Sequence, residues 1–168
     1  MLRYLLYVGK DAEPDIIKKF DCIKRPIFRY RTKDIEVDVH VDDQRCIAEM
    51  SKFISINETE EFDSEKLQES LDKQDENDIM NNVAALFSDE KYWEAHEVLE
   101  SLWKRSKGDE KKFYRGLILL CASMVHYQML SFDKAIEVFN NAARILSSIR
   151  GVNVRIPRSF IYPIPFPL

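Results

Sequence analysis

The chain changes its hydrophobic rhythm partway along. Up to residue 56 apolar positions alternate or run in short blocks, and after residue 78 they recur every three or four residues. Residues 3–8 are rich in leucine, tyrosine and valine and stop at Gly9, which predicts a first strand buried on both faces. Pro14 opens a short helical piece over 15–20, because a proline in a first turn gives up an N–H that has no partner there anyway. Residues 27–31 predict a second strand. The clearest alternation is Ile35-Glu-Val-Asp-Val-His-Val41: Ile35, Val37, Val39 and Val41 take one face, while Glu36, Asp38 and His40 take the other, which reads as solvated.

Residues 42–56 fit two patterns. Asp42 or Asp43 capping a helix with Ile47, Met50 and Ile54 competes with a strand in which Cys46, Ala48 and Met50 alternate, and the helix is favoured. Residues 1–56 are thus expected to form a small α+β module. Residues 57–77 are dense in acidic, amide and lysine side chains and read as an acidic linker or a solvated helix anchored by Leu67 and Leu71.

Four helical segments follow. The first carries Ile79, Val83, Leu86 and Phe87, and Asp89 can start the second, which ends near Lys107 and Gly108 with basic residues suited to a helix C-terminus. The third begins near Asp109 and is apolar nearly all round between Gly116 and Val125, as a helix covered on most sides would be. The fourth repeats Ala135, Val138, Phe139, Ala142, Ile145 and Leu146 at helical spacing. Short connections make residues 78–150 an all-α antiparallel four-helix bundle, and the expected fold class is α+β. Phe132-Asp-Lys-Ala-Ile-Glu-Val-Phe139 is loosely similar to a tetratricopeptide hairpin, but no second copy stands at the required period. The Pro-rich tail, 151–168, is expected to lie extended across the bundle or on a second subunit.

Within the second helical segment stands Tyr92-Trp-Glu-Ala-His-Glu-Val-Leu-Glu-Ser-Leu-Trp103. On a helical wheel Tyr92, Ala95, Leu99, Leu102 and Trp103 share a broad apolar face, with His96 at its edge, Glu100 just beyond, and Trp93 and Glu97 farther round. This motif, with Phe113-Tyr-Arg-Gly-Leu-Ile118 and a run containing Ala122 and His126, resembles the family catalogued as domain of unknown function 309. The likeness covers roughly residues 79–146. It implies a compact helical bundle and brings no established activity. Arg115 departs from the family pattern, in which a glutamine is common.

Several chemistries compete for these residues. His96, Glu97, Glu100, Arg115 and His126 can form a polar network that fixes helix register, since a guanidinium on so apolar a helix needs an acidic partner. The same groups can line a pocket for a small polar ligand, with Trp93, Trp103 and Tyr114 as walls. Alternatively His96, Glu100 and His126 ligate a divalent transition metal, with Glu97 as general base of a metal-dependent hydrolase. The pattern leans away from an enzyme: no Ser-His-Asp order, phosphate loop or dinucleotide fingerprint stands in the chain. No cofactor is expected on the favoured reading.

Charge and cysteines narrow the partners. A formal net charge of −4 gives no broad attraction to phosphate backbones, which makes nucleic acid an unfavoured partner. A local basic cluster, Arg25, Arg29, Arg31 and Lys33 beside Phe28 and Tyr30, keeps an RNA contact through 25–33 as a further alternative. A protein partner or self-association suits a binding or assembly domain better. Cys22, Cys46 and Cys121 are odd in number and far apart in sequence, which fits a reducing compartment. The absence of a signal-peptide pattern and of a spanning apolar run points to a cytoplasmic protein without membrane contact.

Overall fold

The computed structural model describes residues 1–149 of the 168. The expectation for residues 151–168 therefore lies outside the described residues. The fold is α+β: a four-stranded antiparallel sheet comes first and a run of helices follows. Two compact units form: Met1–Asp63 with Gln128–Leu130, and Ser64–Tyr127 with the chain from Ser131 on.

The first unit is built on β1 (Leu2–Val8), β2 (Ile23–Tyr30), β3 (Ile35–Val41) and β4 (Ile56–Glu61), with α1 (Pro14–Ile17) and α2 (Arg45–Met50) between strands. The sheet order is β2-β3-β1-β4. Register follows the apolar alternation: Leu6 stands opposite Val37, Tyr4 opposite Val39 and Val8 opposite Ile35. These residues share one face and form a core with Ile17, Ile47, Met50 and Ile54. A one-residue slip would turn that whole set over, so the pattern fixes the pairing. Arg25, at φ 49° in the bulge between Lys24 and Ile27, takes up the irregularity that Pro26 imposes.

Two expectations for this unit change. Residues 57–61, read as part of a linker, belong to strand β4; a polar Asn-Glu-Thr-Glu-Glu run becomes a strand because β1 offers it a hydrogen-bonding edge. The cysteines are also not all unpaired. Cys22 and Cys46 form a disulfide, their Cα atoms 5.9 Å apart, because the chain entering β2 and the start of α2 converge on the helix side of the sheet. Such bonds persist in oxidising surroundings, so the cysteines do not support a reducing compartment. Cys121 remains a buried free thiol.

The second unit contains α3 (Ser64–Leu71), α4 (Glu76–Ser88), α5 (Tyr92–Arg105), α6 (Gly108–Gln128) and α7 (Phe132–Ser147). Asp75 caps α4 by accepting a hydrogen bond from the Asp78 N–H at 2.9 Å, which satisfies one of the orphan donors of the first turn. Leu71, Ile79, Val83, Phe87, Ala95, Leu99, Leu102, Phe113, Leu117 and Cys121 form one core, with Leu67 and Leu146 packed against it. At Gly116 the Leu146 side chain of α7 lies close against α6: a Cβ there would meet Leu146 Cδ2 at 2.5 Å and Cγ at 2.6 Å.

The turns α4–α5 and α6–α7 are built alike. Glu90 and Leu130 hold φ 59° and 60°. Lys91 N–H bonds the Leu86 carbonyl and Ser131 N–H bonds the His126 carbonyl, both at 2.9 Å. Phe87 meets Tyr92 edge-on at 4.8 Å, and Tyr127 meets Phe132 edge-on at 5.4 Å. Each feature recurs 40 positions later, and Ala95, Glu97 and Val98 recur as Ala135, Glu137 and Val138. The hairpin thus has a second copy, at a spacing longer than the 34 residues of a tetratricopeptide.

Candidate functional site

The motif helix α5 buries Ala95, Val98, Leu99 and Leu102, and also Glu94 and Ser101. Ser101 stays satisfied by donating to the Val98 carbonyl at 2.8 Å, so a polar residue can face the core. Helix α6 comes near both ends of the stripe Tyr92, His96, Leu99, Trp103. Lys111 Nζ lies 4.4 Å from the Trp103 ring centroid. Burial, then the negative charge of Glu90, and then Cys121 and Tyr127 raise the Tyr92 pKa to about 12. Lys111, Cys121 and Tyr127 are all on α6, so α6 stands near both Trp103 and Tyr92.

The structure does not gather the expected polar cluster into one buried centre. His96 is half-buried and its Nδ1 comes within 3.3 Å of Glu97 Oε1, without hydrogen-bond geometry among the described residues. Glu100 pairs along its own helix with Lys104 at 3.3 Å. Arg115 is exposed, and among the described residues it makes no ion pair with Glu97 or Glu100. The physical reason is rotational: Phe113, Tyr114, Leu117, Cys121 and Met124 take the buried face of α6, which turns Arg115 outward. His126 is half-buried and Trp93 is likewise partly exposed. Tyr114 is fully buried and donates its hydroxyl to Glu76 at the start of α4. Burial, with the Glu76 carboxylate beside it, pushes the Tyr114 pKa up. Among the described residues no three His, Cys, Asp or Glu side chains stand as a group that could hold a metal ion.

The charged centre that sequence reading placed in solvent is on the second face of the sheet. Asp38 is 0% exposed and Glu36 1% exposed. Arg3 donates to Asp38 through Nε at 2.9 Å and Nη2 at 2.6 Å. Arg29, also buried, bridges the two acids, bonding Glu36 through Nη1 and Asp38 Oδ2 through Nη2 at 2.8 Å. Arg31 forms a fork with Asp34 at 2.6 and 3.0 Å while its Cζ lies 4.7 Å over the Tyr7 ring. Burial alone would raise the Asp38 pKa, but the Arg3 hydrogen bond and the Arg29 and Arg3 charges hold it below the usual carboxylate value. Arg3, Arg29 and Arg31 thus meet Asp34, Glu36 and Asp38 on this face, which fixes strand register.

The RNA alternative through 25–33 loses its two central groups on this geometry: Arg29 and Arg31 are buried and paired instead of standing at a solvated strand edge. Opposite-sign residues at matching places on either side of the turn, Arg29 across from Glu36, were the sequence signal for the buried network. A pocket of about 570 Å³ lies between α2 and the β4 edge, lined by Tyr4, Ile47, Ala48, Ser51, Ile56 and Thr59 among others. It contains none of the residues singled out on α5 and α6. Among the described residues no helix is long and apolar enough to cross a membrane.

Neither a curated protein nor a solved structure matches the chain. Residues 80–140, which take in all of α5 and α6, most of α4 and the first part of α7, match the family model described as Domain of unknown function (DUF309), the family whose likeness the α5 motif carries.

Proposed function

We propose that the chain is a non-catalytic binding or assembly protein, in which α5 is a packing helix and not the wall of a reaction site. The observation that carries this reading is the burial of α5: Ala95, Val98, Leu99 and Leu102 are closed, and they share one core with Phe113, Leu117 and Cys121 of α6. Its acid Glu100 is engaged within the same helix, by Lys104. On this reading α4 to α7 work as an antiparallel four-helix bundle, and the His96–Glu97 pair is a polar margin of that packing.

Metal analysis of the purified protein, repeated on His96→Ala, tests the reading. The expected outcome is no stoichiometric transition metal in either protein, with His96→Ala costing about 1 kcal/mol of stability. Arg115→Ala, at an exposed position, should stay within about 0.5 kcal/mol of the parent. A stoichiometric transition metal that disappears in His96→Ala would contradict the reading and favour the hydrolase with His96, Glu100 and His126 as ligands.

A further inference from the structure

The Cys22–Cys46 disulfide encloses a hairpin that is already closed without it. Cys22 directly precedes β2, and Ile23 at the start of that strand stands opposite Val41 at the end of β3. With the Arg29 pairs to Glu36 and Asp38, that register holds β2 to β3 whatever the state of the cysteines. What the bond adds is a tie on the chain beyond Val41, where residues 42–44 are exposed and lead into α2. Helix α2 is 6 residues long and its N-cap, Gln44, makes no side-chain cap bond. So short a helix is not stable by itself. Its buried side chains are Cys46, Ile47 and Met50, which makes the disulfide one of three anchors.

We propose that this disulfide is a redox latch on α2: reduction by a dithiol frees the helix from the start of β2 while the sheet stays intact. The two sulfurs differ in access, Cys22 being half-buried and Cys46 5% exposed. A thiolate of the reductant attacks Cys22 Sγ, the bond to Cys46 breaks, and Cys46 leaves as a thiolate that takes up the proton the reductant gave up. The second thiol of the reductant then attacks the mixed disulfide, and the Cys22 sulfur leaves and is protonated in turn. Two electrons pass from the dithiol, which becomes a disulfide, to the cysteine pair, which becomes two thiols. The latch bears on a concave surface. Helix α2 and its two caps supply Gln44, Ile47, Ala48 and Ser51 to the pocket of about 570 Å³ beside β4, so releasing α2 moves one wall of it.

Hydrogen exchange of the full chain, read by mass spectrometry before reduction, after dithiothreitol and after reoxidation, tests this, with alkylation of Cys22 and Cys46 reporting how far reduction has gone. In the reduced protein the amides of residues 45–54 should exchange about tenfold faster while β1 and β3 keep their protection, and reoxidation should restore the starting pattern. Cys22→Ser should exchange as the reduced parent does, with or without dithiothreitol. Glutathione, quenched early by acid, should be found on Cys22. Three results would overturn the proposal: unchanged exchange of 45–54 in fully reduced protein, a loss of protection shared equally by β1 and β3, or a disulfide that dithiothreitol opens only after the protein is denatured. The first leaves α2 held by Ile47 and Met50 alone, and the other two make the bond a brace of the whole sheet.

Discussion

Asp38 shows how little an alternating pattern says about solvent when charges can meet each other. Its carboxylate takes three hydrogen bonds from Arg3 and Arg29 while fully buried, and the cost of desolvation is offset because no formal charge in the network lacks an opposite. Removing one member leaves guanidinium charge behind. Asp38→Ala should therefore cost about 3–5 kcal/mol, measured by urea unfolding of the full chain. The pH dependence has a definite direction. The folded state binds the Asp38 proton less tightly than the unfolded chain does, so this stability is fully present above the unfolded value near ~4 and is lost as pH falls through the lower folded value. The parent should lose stability steeply below about pH 4, and Asp38→Ala should show a flatter acid limb. The sequence displayed the apolar half of β3 plainly, since Ile35, Val37, Val39 and Val41 all turn to the core. The polar half was misread because alternation assigns a face without saying whether the face is wet. Arg115 was misread in the opposite sense, expected inside and found outside, because the wheel position of one charged residue was judged without the aromatic residues that compete for the core.

Among the elements, β1, β3 and the four long helices were legible because their periodicity is strong over many residues. Strand β4 was not: Asn57 to Glu61 has no apolar alternation, and only pairing with β1 makes it a strand. Pairing over distance also explains the cysteines. Separation along the chain concealed that Cys22 and Cys46 meet beside α2, across a sequence separation of 24. Closing a loop of that size restricts the unfolded chain, so Cys22→Ser should lower stability by about 3 kcal/mol. A reductant should have the same effect on the parent and none on the variant, measured by thermal unfolding with and without it.

For the molecule as a whole, the sequence carried the likeness to the family that residues 80–140 match and could not show the duplication among the helices. Ala, Glu and Val are the identities that align Glu94–Leu99 with Lys134–Phe139, too few to stand out from an ordinary helical face. The likeness resides in backbone and contact, in the left-handed Glu90 and Leu130 and in the paired rings beside them. Helices α5 and α7 are then two copies of one architectural position. If α5 is the packing centre of the helical unit, its amides should open only with that unit as a whole. Native-state hydrogen exchange at low protein concentration measures this directly. The slowest amides of the unit are expected in α5 and in α6 from Phe113 to Met124, with α7 exchanging faster. Exchange in α5 as fast as in α7 would contradict the account, because a motif helix that opens independently is a movable wall and not the centre on which the other helices pack.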